Sequence, residues 1–220
     1  WTTSHFYRKI MTLNRRSLEY AQWSHYQICG LLNNKELSYY PIKFDWNKPN
    51  SKRLLTKAKY DHVFHATNHH TGFITKGAVD ARIKYDLNPK FDKKGKKKSY
   101  QACYDHVTTP QFVARYLVDC KREIFDYSEE GWNEWLIWFE FATSVIETTN
   151  PENTAIRKFT KFRKGNYEIF ESSDKKYSKA GLVLCERPDG VKEWSKAVPT
   201  DKVFTFDQDF LNYEKQFLVN

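Results

Sequence analysis

No cysteine in this chain stands near enough to another to form a C-x-x-C pair. The four cysteines, Cys29, Cys103, Cys120 and Cys185, are scattered. That excludes a zinc knuckle written in local spacing and fits reduced, mostly buried thiols in a cytosolic protein. No apolar run approaches the length of a membrane-crossing helix. The opening stretch, WTTSHFYRKIM, lacks the apolar region of a secretory signal. It starts on Trp1, so a trimmed start is expected. No Gly/Ser linker divides the sequence, and no low-complexity segment occurs apart from one lysine run. A cytoplasmic protein without membrane contact is the expectation.

What the sequence does hold is aromatic and basic. Aromatic residues make up 17% of 220 positions, enough for a folded core. The length suits one elaborated domain or two small ones. A formal charge of +9 points to a polyanionic partner, nucleic acid first (DNA, with RNA possible) and an acidic membrane surface second.

Hydrophobic spacing predicts a helix over residues 4–30 that stops at Gly30, and a second helix in SKRLLTKAKYDHVFHA. TGFITKGAVDARIKYDLNP fits strand or helix equally well. Asp92-Lys93-Lys94-Gly95 has the chemistry of a tight hairpin turn, followed by a strand over Tyr100–Val107 with Tyr100, Ala102, Tyr104 and His106 on one face. Thr109 and Pro110 signal the start of a helix with Phe112, Val113, Tyr116, Leu117 and Cys120 on one stripe. Trp132, Trp135, Leu136, Ile137, Trp138, Phe139 and Phe141 nearly encircle the next helix, so it is expected at the centre of a core. TSVIETT reads as a strand, and NPENTAIRKFTKF as a helix capped by Asn150. A C-terminal hairpin is expected to turn at Pro188-Asp189-Gly190, and the tail to form a strand and a short helix. Trp46 and Trp194 are candidates for surface contacts.

The tetrapeptide Tyr-Asp-His-Val occurs at Tyr60–Val63 and again at Tyr104–Val107. Around the first copy, His62, His65 and His69 would share a helix face. A solvated helix end and a transition-metal site both fit that pattern. The second copy precedes a helical insertion, a strand and a helix. With the insertion removed, the order is strand, strand, helix. CYDHV and TTNPENTAIRKF, with YSKAGLVL further on, resemble the ββα-metal endonucleases, the HNH or His-Me finger superfamily, in a phage-encoded form.

That resemblance implies an α+β fold: a ββα-metal finger with a helical insertion, a helical N-terminal half and a C-terminal β-hairpin. The divisions it suggests are residues 1–88, 89–170 and 171–220. It implies metal-dependent hydrolysis of DNA phosphodiester bonds, with His106 as general base and Asp105 and Asn153 holding Mg2+ or Mn2+. A hard divalent cation wants such oxygen donors. Neighbouring strand residues face opposite ways, so the strand end must twist for Asp105 and His106 to act together.

One departure stands out. The family places a second His or Asn about two turns into the helix, where this chain has Arg157, Lys158 and Lys161. Asn166 could substitute. A non-catalytic nucleic-acid-binding module and a phage interaction protein are therefore open alternatives. Lys93, Lys94, Lys96, Lys97 and Lys98 lead straight into the Asp-His strand, and Arg115, Arg157, Lys158 and Lys161 add to the candidate phosphate contacts.

Overall fold

The structure, a computed structural model, describes residues 14–33, 68–163, 166–186, 193–200 and 204–219. The first tetrapeptide copy, with His62 and His65, lies outside them. So do Trp46, the second expected helix over residues 51–66 and the turn at Pro188-Asp189-Gly190. The fold is mixed α+β, and no helix among the described residues is long and apolar enough to cross a membrane. Two compact units share the chain: residues 1–69 with 108–144, and residues 70–107 with 145–220.

The first unit is helical where it is described. Helix α1 runs Arg15–Asn33 and does not stop at Gly30, which is an interior residue. Helix α3 (Pro110–Cys120) and helix α4 (Glu129–Thr143) follow in the insertion. Trp135 is fully buried and donates its indole N–H to the Ala21 carbonyl of α1 at 2.9 Å. His25, also buried, is held by the Ile124 carbonyl at 2.9 Å between the rings of Phe125, Trp132 and Trp135. Trp135, Leu136, Trp138 and Phe139 are buried, as their spacing predicts, while Trp132, Ile137 and Phe141 are only half-buried. Ser128 caps α4 by accepting from Gly131 N, and Glu129 and Glu130 suit the positive end of the helix dipole.

The second unit is built on a five-stranded mixed sheet in the order β2-β3-β1-β6-β7. The strands are β1 (His69–Thr75), β2 (Cys103–His106), β3 (Ser144–Thr148), β6 (Leu184–Glu186) and β7 (Val198–Pro199). The ambiguous stretch after residue 70 thus resolves into a strand followed by helix α2 (Lys76–Leu87). The N-terminal half is accordingly not wholly helical. Helix α2 covers one sheet face, where Ile74 and Cys185 meet Ala78 and Val79. On the other face Ile146 packs with Ile156 of helix α5 (Asn150–Ile156) and Tyr177 of helix α6 (Lys176–Lys179). A separate hairpin, β4 (Thr160–Arg163) with β5 (Asn166–Ile169), and a terminal helix α7 (Gln208–Lys215) complete the elements.

Several boundaries differ from expectation for local reasons. The N-cap of α5 is Thr149, not Asn150, because Thr149 and Glu152 form a capping box. That helix ends at Ile156, and Arg157–Phe159 tighten into a 3-10 turn. The β-branched and aromatic residues beyond then pair with 166–169 as a strand. Glu186 pairs with Val198 of β7, so a strand that follows the 3-10 turn Trp194–Lys196 lies against β6. Trp194 sits in a 3-10 turn packed on the Ile74 cluster rather than offering a surface contact. Phe204–Asp207 form no strand, and Asp207 caps α7 instead.

Gly131 sets the entry to α4. A Cβ there would lie 2.6 Å from the Ile124 carbonyl oxygen, a backbone atom that cannot step aside. Gly131→Ala is expected to cost about 1–3 kcal/mol by overpacking, read as a lowered urea midpoint at unchanged slope.

Candidate functional site

The strand carrying Asp105 and His106 forms as the alternation requires. Asp105 pairs with Ile146 and His106 with Val145 in an antiparallel register. Directly opposed residues share a face, and successive ones alternate. Asp105 therefore faces the layer of α5 and α6, and His106 the layer of α2. The connectivity is strand β2, insertion α3–α4, strand β3, helix α5, with α5 packed against β2.

On the Asp105 face the carboxylate is already engaged. Lys176 Nζ donates to Asp105 Oδ2 at 2.7 Å, and the Tyr177 hydroxyl donates to the same oxygen at 2.7 Å. Lys176 also donates to the His106 carbonyl, and the Tyr177 hydroxyl lies 3.4 Å from that carbonyl. The side chains of Lys176 and Asp105 are only 8% and 15% exposed, so the pair is shielded from water. Burial, with the Asp105 carboxylate beside it, pushes the Tyr177 hydroxyl well above the ordinary phenol range. Close by, Glu214 is buried and accepts from Ser173 N at 2.8 Å and Ser173 Oγ at 2.6 Å. Burial pushes its carboxyl up, against the lowering effect of Ser173 and Lys176.

Asn153 reaches the same face. Its Nδ2 donates to Cys103 Sγ at 3.0 Å, two residues before Asp105. The helix tip and the Asp-His strand are thus adjacent, but the amide is turned to sulfur. The imidazole of His106 lies on the opposite face. Burial pushes its pKa down to about 4, with Lys176 adding to the fall and Asp105 opposing it.

The sheet face that His106 shares carries a second ionic centre. Arg82 of α2 holds Glu147 of β3 through Nε at 2.5 Å and Nη2 at 2.6 Å. Its guanidinium lies 4.5 Å from the Tyr100 ring centroid and 4.2 Å from that of Trp194. Burial, with the Glu147 charge nearby, pushes the hydroxyls of Tyr100 and Tyr104 up.

The residues assigned to a divalent cation do not fit one as arranged. Asp105 is bonded to an ammonium and a phenol, His106 faces away from it, and Asn153 bonds a thiol. Among the described residues no three His, Cys, Asp or Glu side chains gather closely enough to hold a metal ion. Asn166 opens β5, with its side chain outside the described residues.

The basic candidates separate by unit. Lys93, Lys94, Lys96, Lys97 and Lys98 are exposed in the second unit, as are Arg157, Lys158 and Lys161. Lys161 lies 4.9 Å from the Phe170 ring centroid. Arg115 is half-buried on α3 in the first unit. His69 pairs with Glu140 at 3.2 Å, and His70 stacks on Tyr104 with centroids 4.8 Å apart. None of the four cysteines forms a disulfide; Cys120 is exposed and Cys103 half-buried, so only Cys29 and Cys185 fit the expected burial.

Lys176, Tyr177 and Arg82 are the residues that sequence reasoning missed. Lys176 sits in a lysine-rich turn that reads as solvated surface, and its partner is 71 residues away. Glu147 did carry a signal: a carboxylate directly after Val145 and Ile146 in a short strand calls for a cation partner if that strand is buried. No protein-family model, curated protein or solved structure matches this chain.

Two outcomes follow. Lys176→Met leaves a shielded carboxylate unpaired and is expected to cost about 3 kcal/mol in urea unfolding, with most of it recovered by adding Asp105→Leu. His106, lowered from 6.5 to about 4, binds fewer protons folded than unfolded. Its contribution is intact above pH 6.5 and is lost as pH falls toward 4, at up to about 1.4 kcal/mol per pH unit. A His106→Gln chain is expected to show a flatter stability profile across that window.

Proposed function

We propose that this chain is a nucleic-acid-binding protein whose strand–strand–helix frame is held by an internal ammonium in place of a divalent cation. The observation that carries this reading is the contrast between two sets of lysines. Lys176 is shielded and bonded to Asp105 and the His106 carbonyl, whereas Lys93, Lys94, Lys96, Lys97 and Lys98 stand in water. The buried cation neutralises the acid that a metal would need, and the exposed ones remain for phosphates. An overall charge of +9 draws polyanions toward the surface. Arg157, Lys158 and Lys161 are further exposed candidates on the same unit, and Arg115 is a separate candidate on the other unit. The reading puts the protein in the cytoplasm and takes its phage origin from the resemblance.

A second reading, a metal-dependent DNA endonuclease of HNH type using Mg2+ or Mn2+, is favoured by one observation. The chain order β2, β3, α5 brings Asn153 beside the Asp105 strand. In this reading His106 is the base, Asp105 and Asn153 are the ligands, and Lys176 must vacate the carboxylate.

One experiment separates the two. Purified chain is titrated against labelled DNA and RNA at stepped salt, and incubated with supercoiled plasmid plus Mg2+ or Mn2+, with and without chelator. The expected result is salt-sensitive binding with no nicking. Alanine at the five hairpin lysines should flatten the log–log salt dependence by about 0.9 per lost contact on duplex DNA. Chelator-sensitive nicking that disappears in His106→Ala would establish the nuclease reading instead.

A further inference from the structure

The lysine hairpin carries an aromatic ring that charge alone does not explain. Phe91 bridges Lys97 in antiparallel fashion, and its residue is 57% exposed. The frame around it is tightly bonded. Asp92 N donates to the Lys96 carbonyl at 2.9 Å, Gly95 N to the Asp92 carbonyl at 3.1 Å, and Lys98 N to the Lys90 carbonyl at 2.8 Å. Asp92 Oδ1 accepts from Lys94 N and Lys96 N, both at 2.8 Å. Gly95 takes φ +75°, which closes the turn without strain. The ring is therefore presented to water on a preformed support.

That support is anchored to the unit through aromatic contacts. The Lys97 ammonium lies 5.1 Å from the Tyr85 centroid, Tyr85 meets Tyr100 at 5.6 Å, and Tyr100 covers Arg82. Lys97 is thus partly committed to the protein, while Lys90, Lys93, Lys94, Lys96 and Lys98 are the other exposed lysines of the same hairpin.

We infer that the hairpin at residues 90–98 is a recognition surface for single-stranded nucleic acid, in which Phe91 stacks on an unpaired base while the lysines bind the flanking phosphates. This rests on the nucleic-acid reading above and narrows it. Lysines alone do not discriminate between strands and duplexes, because both present phosphates. An exposed ring does discriminate: unpaired bases offer open π-faces, whereas duplex bases are already stacked on one another. Base–aromatic stacking tolerates any base, so the surface is expected to select strandedness rather than sequence.

The test uses the full chain and fluorescence anisotropy with one unstructured oligonucleotide, as a single strand and as its blunt duplex, at several salt concentrations. The expected result is tighter binding of the single strand by about tenfold. Phe91→Ala should remove about that factor for the single strand, leave duplex binding unchanged and leave the salt slope intact, while Phe91→Trp retains it. Phe91 is exposed, and thermal melting checks that each variant is folded. Equal binding of strand and duplex, or an Ala variant indistinguishable from the parent, overturns the inference while leaving general nucleic-acid binding in place. Failure to bind either oligonucleotide removes the parent reading as well. Phosphatidylserine vesicles form a further arm. Vesicle binding that depends on Phe91, with no strand preference, would make the ring a membrane wedge and overturn the proposal.

Discussion

Lys176 and Asp105 hold the second unit together at a point where little else could. The two charges sit in the layer between the sheet and the α5–α6 side, shielded from solvent and satisfied on several sides. Withdrawing such charges from water is expensive, and mutual attraction repays it only with good geometry and further hydrogen bonds. Tyr177 supplies one of those bonds and the His106 carbonyl accepts another from the ammonium. The consequence is a specified position for the end of β2. A chain slipped by one residue would turn Asp105 toward α2 and leave the ammonium facing His106 or Tyr104.

A parallel arrangement holds the other face. Glu147 and Arg82 form a two-pronged pair beneath Tyr100 and Trp194. Each face of the sheet thus carries one acid from a strand, Asp105 from the edge strand β2 or Glu147 from β3, and one base from a covering helix. The two pairs differ in what surrounds them. The Arg82 side is aromatic and continues through Tyr85 to the lysine hairpin, whereas the Lys176 side is closed by Ile146, Ile156 and Val107. The lysine hairpin accordingly stands open to solvent, whereas the Asp105 carboxylate is enclosed and paired.

The sequence made local features legible. Gly95 announced a turn, Thr109 and Pro110 announced a helix start, and TSVIETT announced a strand, since each is decided by neighbours a few residues away. Even the separation of Asp105 from His106 followed from strand alternation. What could not be read was the partner of each buried charge. Lys176 reaches Asp105 across 71 positions and Arg82 reaches Glu147 across 65, and nothing local marks either lysine or arginine as internal. The candidate metal ligands looked available because that long-range cation was invisible. The end of α5 was misjudged for a related reason: Thr160–Arg163 have helix-compatible spacing but a hairpin partner further on.

Glu152 shows how the two sides of the sheet are tied. Its Oε2 accepts from Thr149 N and Thr149 Oγ1 at 2.9 Å each, which starts α5, and from Thr75 Oγ1 at 2.6 Å. Its Oε1 accepts from Gly77 N at 3.2 Å in the first turn of α2. A single carboxylate therefore rivets the beginnings of two helices that lie on opposite sides of the same sheet. Neither helix can tilt or slide without dragging the other, so a load applied to one flank of this unit is felt on its far flank.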